Sequence, residues 1–515
     1  MKIEINPEFQ RALNLMEHTN HHVFITGKAG TGKSTLLEYF RSVTNKKIVV
    51  LAPTGVAALN VRGETIHSFF RFKPDITVDK IERVSRKRRR IFTELDAIVI
   101  DEISMVRADL LDCVDHFLRL NARSSKLPFG GIQMIFIGDL YQLPPVVTSK
   151  EKKLFGGYYE SEYFFDAKVM KDLPLEFVEL EKIYRQKDQR FITLLNQIRN
   201  NTVTEESLKL LNSRVGKKFR RGSRSGYIVH LTTTNDMAQR INQENLNRLK
   251  EREYTFTAEV AGHFDRSSFP TDYQLTLRKG AQVMMLNNDS RRRWVNGTIG
   301  KVVDVRYSRK YKKYIIRVEF AGGRREDVLP FTWEIFHYKF NESTNAIETE
   351  TVGSFTQFPM KLAWAVTIHK SQGKTFDRVI IDIGRGTFAH GQVYVALSRC
   401  TRLSGVILTR PIRKKNILMD WRIVKFLTQH QYRLSEQALP IERKIEMIGE
   451  AIRSNKEIGI IYLKPSDEKS RRVVRPFRIG EFSYRGKKFL GVHAFCKLRQ
   501  EERIFRIDRI LRIEW

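Results

Sequence analysis

The stretch Gly27-Lys28-Ala29-Gly30-Thr31-Gly32-Lys33-Ser34 decides how the rest of the chain is read. It follows the apolar run Val23-Phe24-Ile25-Thr26 and precedes Thr35-Leu36-Leu37-Glu38-Tyr39-Phe40, so a strand, a glycine-rich turn and a helix succeed one another. In that order the glycines let backbone N–H groups close around phosphate oxygens at a helix N-terminus. Lys33 is then placed to neutralise the β- and γ-phosphates of a nucleotide, and Ser34 to give an oxygen to Mg²⁺. Gly27, Gly30, Thr31, Gly32 and Thr35 complete the cradle.

Working outward, short apolar runs alternate with helical stretches from His22 to Asp139: VFIT, KSTLLEYF, IVVLA, AIVI and MIFI. Such alternation predicts a parallel α/β sheet. Ala97-Ile98-Val99-Ile100-Asp101-Glu102 reads as a buried strand ending in two carboxylates. There Asp101 can hold Mg²⁺ and Glu102 can orient and deprotonate an attacking water, the bland alternative being a solvated acidic strand end. MIFI runs into Gly138-Asp139 and Tyr141-Gln142-Leu143-Pro144-Pro145, which places Gln142 to sense a γ-phosphate. The alternation returns in YIVHLTTT, LAWAVTI, RVIIDI and GVILT between Tyr227 and Thr409, predicting a second α/β lobe. Between its pieces, residues 254–355 read as β, with turn signals at Asn296-Gly297 and Gly322-Gly323. After Pro411 a basic helical stretch leads to a last strand-rich segment, Ile458 to Trp515.

The 515 residues are 41 % hydrophobic and 29 % charged, which excludes wholesale disorder and a membrane-buried protein. The formal charge of +33 favours a polyanion, nucleic acid first. No apolar run reaches the roughly 18 residues of a membrane span. Glu4, Pro7 and Glu8 interrupt the start where a signal peptide is apolar, so a cytoplasmic protein is expected. Cys113, Cys400 and Cys496 are too few and too scattered for a disulfide framework or a zinc site.

From about Asn6 to Thr409 the chain resembles superfamily 1B DNA helicases of the petite integration frequency (PIF) type, relatives of RecD. The resemblance rests on GKAGTGKST, APTGVAA, TIHSFF, DEISM, GDLYQLPPV, YRQ, QVMML, NGTIG, LAWAVTIHKSQG and VYVALSRCT, in that order. It implies an α/β fold with two RecA-like P-loop NTPase lobes and an inserted SH3-like β domain. ATP and Mg²⁺ would be the cofactors, and a monomer would move 5′ to 3′ on single-stranded DNA to unwind duplex or forked DNA carrying a 5′ tail. The setting would be the bacterial cytoplasm or nucleoid. By the same resemblance Gln10 contacts adenine, Gly373 lies against the nucleotide, and Arg185 of YRQ and Arg399 of YVALSR reach the γ-phosphate from the second lobe.

The strand track implied by the family consists of Pro53, Thr54 and Gly55; Thr65, His67 and Ser68; Thr233, Thr234 and Asn235; and Thr367, His369 and Lys370. Hydroxyl, amide and N–H donors of this kind grip a phosphodiester backbone without reading bases. Each Thr or Asn can instead cap a helix or turn, and each His can be a satisfied core imidazole. The expected division is 1–180 for the first lobe with a wedge insertion at about 60–95, 181–253 and 356–415 for the second, 254–355 for the β insertion, and 416–457 for a helical linker.

Arg83 to Arg90 holds six basic residues in eight and is either a DNA contact or a solvated helix face. Trp294, in the β insertion, either packs a core or helps enclose the strand. Residues 458–515 resemble a WYL domain through Ile461-Tyr462-Leu463, Arg475-Pro476, Phe489-Leu490, Phe495-Cys496, Arg499 and Phe505-Arg506-Ile507-Asp508-Arg509-Ile510. That resemblance implies a small β-barrel in which Arg475, Arg499 and Arg506, beside aromatics, suit phosphates and stacked bases of single-stranded DNA. A purely structural barrel with a basic coat is the alternative. The rival reading of the whole chain is an ATP-switched DNA-binding regulator without processive unwinding.

Overall fold

The apolar runs of the first half become a six-stranded parallel sheet: β1 (His22–Gly27), β2 (Ile48–Ala52), β3 (Glu64–Thr65), β4 (Ala97–Ile100), β5 (Gln133–Ile137) and β6 (Leu175–Leu180). Their order across the sheet is β3-β2-β4-β5-β1-β6. β4 and β5 are buried along their whole length, which is why they read as unbroken apolar runs rather than alternating ones. Because all six point the same way, the segments leaving β1, β4 and β5 emerge on one edge. Those segments are the phosphate loop, Asp101-Glu102 and Gly138-Asp139.

This is a computed structural model, and it describes residues 4–147, 151, 157–219, 226–309, 312–384, 386–387, 389–484 and 486–515. The chain divides into two compact units, Met1–Leu195 with Thr204–Leu418, and Asn196–Val203 with Met419–Trp515. Within the first unit, helix Pro7–His18 starts at Asn6, whose side chain accepts the Phe9 N–H at 2.8 Å. It buries Phe9, Ala12, Leu13 and Met16 against the sheet, a stripe at helical spacing. The second parallel sheet runs Ala365–Thr367, Val229–Thr232, Val379–Asp382, Val406–Leu408.

The β insertion contains a five-stranded antiparallel sheet (Arg325–Val328, Lys313–Phe320, Ile299–Ser308, Gln282–Met285, Met360–Leu362) and a long hairpin, Phe331–Asn341 with Ala346–Gln357. Trp294 belongs to its core: the ring packs with Leu275, Val283 and Phe320, and the indole N–H donates to Asn287 Oδ1 at 3.0 Å.

Much of the helical linker expected at 416–457 packs into the second unit. Residues 416–457, expected as a linker, include helices Trp421–Ala438 and Ile441–Arg453, and Ile448 and Ala451 share one core with Ile458, Val474, Val492, Ala494 and Phe505. The second helix has apolar residues at Ile441, Ile445, Ile448 and Ile452, so it has a face to bury. The five C-terminal strands form an open antiparallel sheet ordered Glu501–Arg506, Lys487–Cys496, Lys469–Tyr484, Ile458–Leu463, Ile510–Glu514. Its edge strands are not paired with each other among the described residues, so the expected small β-barrel is not confirmed, and helix Ile441–Arg453 packs on the apolar face of the sheet. Residues Asn196–Val203 also group here: Arg199 lies 4.0 Å from Asp467, both almost wholly buried, and Gln431 donates to that carboxylate at 3.1 Å. No helix among the described residues is long and apolar enough to cross a membrane.

Replacing Ile448 by Ala should destabilise the second unit by about 2–5 kcal/mol, as for other large-to-small core changes. Hydrogen exchange of the sheet amides in the full chain reads this directly; unchanged protection would mean that helix Ile441–Arg453 is no part of the core.

Candidate nucleotide site and nucleic-acid track

A cleft of 660 Å³ opens at the shared edge of the first sheet, a volume suited to a nucleotide. Gly30, Thr31, Gly32, Lys33, Ser34 and Thr35 line one side, Glu102 and Gln142 the floor, and Arg185, Gly373 and Arg399 the other side. The loop is held open by its own backbone: Gly30 has φ +85°, and a Cβ there would stand 2.5 Å from the Cβ of Arg185. Only glycine permits that approach. Lys33 Nζ is folded back, donating to the carbonyls of Gly27 at 2.7 Å and Lys28 at 3.1 Å. The Ala29 N–H donates to the hydroxyl of Tyr394, on helix Gln392–Ser398 of the second lobe, at 2.9 Å.

Asp101 and Glu102 follow β4 directly. Burial pushes the Asp101 carboxyl up to about 6, opposed by nearby Lys33. Burial, then Asp101, pushes Glu102 up to about 7, against the pull of Lys33 and Arg399. Glu102 has a left-handed backbone (φ 52°), and its Oε2 accepts from Gln372 Nε2 at 2.9 Å. Gln142, almost buried, donates from Nε2 to Asp139 Oδ2 at 3.1 Å.

Two guanidinium groups meet this floor. Arg399 is 1 % exposed; its Nε donates to Val395 O at 3.0 Å and its Nη2 to Ser398 Oγ at 2.9 Å. Burial, and then Arg185, pulls it down to about 9. Arg185 donates to Ser398 O at 3.3 Å, and its neighbour Gln186 donates to the carbonyls of Ser398 and Cys400, which flank Arg399, at 3.0 Å each. Among the described residues no carboxylate comes within ion-pair distance of either arginine. A buried guanidinium beside a half-buried one, with no ion-paired carboxylate, is a site for an anion.

Gln10 is the nucleotide residue that the structure does not bring in: it is exposed, and its amide donates to Asn14 Oδ1 at 2.9 Å along its own helix. One helical step, about 100°, separates it from Phe9, which does line the cleft. Gly27, at the start of the loop, and Asp101, at the end of β4, are not in the lining either. Sequence reasoning missed Tyr184 and Gln372, although each adjoins a residue it did name. Tyr184 lines the cleft with its ring 43 % exposed, a flat apolar surface on which a base can stack.

The four track motifs turn out to be built around threonine caps. Thr54 accepts from Ala57 N at 3.2 Å, Thr65 from Ser68 N at 3.1 Å, Thr234 from Met237 N at 3.3 Å, and Thr367 from Lys370 N at 3.3 Å. Thr54, Thr234, Asn235 and Lys370 are exposed; Pro53, Gly55, Thr65, His67 and His369 are half-buried; Thr233 and Thr367 are buried. Burial lowers the pKa of His67 and His369, so both are neutral near pH 7 and carry no charge to a phosphate. Ser68 is turned inward, donating to Glu64 Oε1 at 2.7 Å. In the second unit Arg475 stands opposite Phe495 and Arg506 opposite Gly491, which puts both on one sheet face, while Arg499 lies exposed in the turn beyond Cys496. Arg506 is already paired with Asp508 at 2.6 Å and stacks 5.1 Å over Phe489.

Comparison with known proteins accounts for most of the chain. Residues 6–209 match a PIF1-like helicase model, 362–407 a UvrD-like helicase C-terminal domain and 443–515 a WYL domain. The ATP-dependent DNA helicase Pif1 of Bdellovibrio bacteriovorus is 32 % identical over 443 residues, covering 84 % of this chain and 93 % of that protein. The crystal structure of Bacteroides sp Pif1 in complex with ADP-AlF4 matches with TM-score 0.75 at 38 % identity, covering 83 % of this chain and 97 % of that one. Bacteroides Pif1 bound to ssDNA matches with TM-score 0.60 at 38 % identity over 82 % and 96 %. With a relative of this identity covered almost end to end, the chain belongs to the PIF1-like helicase family.

Proposed function

We propose that this chain is an ATP-dependent DNA helicase that moves 5′ to 3′ along single-stranded DNA and opens duplex or forked DNA carrying a 5′ tail. The observation that carries the reading is the cleft in which Lys33 and Glu102 of one lobe face Arg185 and the buried Arg399 of the other. Such a site is complete only when both lobes contribute. ATP-dependent DNA helicases of the same family support the substrate class. The assignment follows the two lobes, 1–180 and 181–253 with 356–415, apart from Asn196–Val203, which group with the second unit, and the insertion 254–355. The protein acts as a monomer.

When nucleotide enters, Lys33 exchanges the carbonyls of Gly27 and Lys28 for phosphate oxygens. Ser34 Oγ and the Asp101 carboxylate are hard oxygen donors of the kind Mg²⁺ takes, and a cation beside Asp101 would restore the charged form that burial disfavours. Bound there, Mg²⁺ would neutralise charge on the β- and γ-phosphates. Glu102, held by Gln372, orients and deprotonates the attacking water, and Gln142 contacts the γ-phosphate. Arg399 and Arg185 stabilise the charge that builds there, so hydrolysis requires the lobes to be closed. Tyr184 offers its face to the base. Opening and closing would then alternate the grip of the caps at Thr54 and Thr65 with those at Thr234 and Thr367, moving the strand past them. The second unit adds a sequence-tolerant contact through Arg475 and Arg499 to single-stranded DNA.

Strand separation should occur on a duplex with a 5′ tail and not on its 3′-tailed counterpart, and Lys33→Ala should abolish it. Opening of only the 3′-tailed duplex would reverse the assigned direction; DNA-stimulated ATP hydrolysis without opening of either would favour the regulator. Arg399→Ala should leave nucleotide affinity within a few fold while kcat falls by about 10²- to 10³-fold, the cost of losing one transition-state donor. Normal turnover in that variant would remove Arg399 from the reaction. Arg475→Ala with Arg499→Ala should weaken single-strand binding several-fold and reduce its salt dependence; equal affinity at every salt concentration would leave the second unit without a DNA contact.

A further inference from the structure

The outer edge of the first lobe carries a second basic cavity, distinct from the nucleotide cleft. The hairpin Phe331–Gln357 folds back against β3 and the helix Arg86–Glu94, and a pocket of 440 Å³ opens between them. The acids around it are engaged. Glu64, 3 % exposed, lies with Oε1 2.5 Å from His337 Nδ1 and accepts the Ser68 hydroxyl on the same oxygen, while Glu350 pairs with Lys339 at 3.6 Å. Arg71, Lys87 and Arg88 also line the pocket, and none of the three has a carboxylate within ion-pair distance among the described residues.

Arg88 is half-buried and donates to Phe69 O at 3.2 Å. Burial, and then the neighbouring Arg71, pulls it down to about 10, so it stays charged at neutral pH beside a like charge. Arg71 closes helix Ile66–Phe70 with φ 57° and ψ 38°, a left-handed position where glycine is favoured. Placing arginine there costs stability. The basic run of the sequence is thus divided: Arg90 is drawn to the hairpin, 2.5 Å from Glu342 and 5.2 Å over the Phe340 ring, while Lys87 and Arg88 face the cavity. Phe69 and Phe340 supply apolar wall.

We propose that this pocket holds a backbone phosphate of DNA between Arg71 and Arg88, with Lys87 beside it, as a second DNA contact that adjoins the track at Ser68 and lies beyond its threonine caps. Unpaired guanidinium groups are fork-shaped donors for phosphate oxygens. The aromatic walls suit a sugar face, and the chain's net charge of +33 draws nucleic acid before small anions. Thr54, Thr65, Thr234 and Thr367 do not line this cavity, and Ser68, which does, has its hydroxyl committed to Glu64, so a strand held by the threonine caps leaves the cavity open to the duplex arm. The proposal rests on the DNA-motor reading.

The test is equilibrium binding of the full chain to a short single strand that fills only the track, and to a duplex carrying that strand as its 5′ tail. In Lys87→Gln with Arg88→Gln, affinity for the tailed duplex should fall about tenfold at 0.1 M salt, and the slope of log K against log salt should flatten by about 0.9, the release from one phosphate. Short-strand affinity and short-strand-stimulated ATP hydrolysis should not change. Arg71→Gly should lose tailed-duplex affinity in the same direction with an unchanged or raised Tm, which separates anion binding from folding. Equal losses on both DNAs would merge the pocket with the track and overturn the proposal. So would saturable orthophosphate binding, at constant ionic strength, that the double variant loses while DNA affinity stays intact: that marks a small-anion site. Unchanged binding of every ligand returns the three cations to ordinary surface. Failure of the motor reading is distinguishable, because the unaltered chain would then show no DNA-stimulated ATP hydrolysis.

Discussion

Two arginines side by side without an ion-paired carboxylate among the described residues, Arg399 buried and Arg185 half-buried, are the constraint around which the first unit is arranged. Removing a guanidinium from water is expensive, and a like charge beside it makes the cost greater. Arg399 and Arg185 are held nonetheless by backbone carbonyls and a serine hydroxyl, with Gln186 bracing the same carbonyls. Their energy is recovered when an anion arrives from the opposite lobe. The raised pKa of Asp101 and Glu102 belongs to the same arrangement: burial disfavours their charged forms, and the nearby Lys33 only partly offsets it.

Keeping them apart at the right distance is a matter of backbone. β1, β4 and β5 are parallel and adjacent, so the phosphate loop, Asp101-Glu102 and Asp139 all leave the sheet on one edge. Close approach between the lobes then falls on residues without side chains. Gly30 admits Arg185, and a Cβ on Gly391 would collide with the carbonyl oxygen of Gln142. The contact between Ala29 N–H and the Tyr394 hydroxyl ties the loop directly to the helix that leads to Arg399. Movement of one lobe is therefore felt at the nucleotide.

The second cavity shows the same logic on the outer edge. There the hairpin of the insertion engages the acid, Glu64, through His337, and leaves Arg71 and Arg88 facing an open space. A charge run that is ambiguous as a string of letters acquires different roles along a short helix, because successive side chains turn about 100° and meet different neighbours. Gln10 and Phe9 differ for the same reason.

Local chemistry alone determined the two parallel sheets, the phosphate loop, the paired carboxylates and the β insertion. Those depend on periodicity and on turn residues that act within a few positions, and the motif order carried the family. The threonines were legible as polar positions that could cap a helix or touch a strand, and the hydrogen bonds that Thr54 accepts from Ala57 N and Thr234 from Met237 N show the caps. Tertiary structure alone decided that helix Ile441–Arg453 closes the C-terminal core and that Arg199 joins Asp467 across 268 positions. It also decided that Gln372 holds Glu102 and that Tyr184 enters the cleft. Each of these turns on which apolar face finds a partner or which charge finds a counter-group far along the chain, and a linear pattern records the face and the charge without recording what it meets.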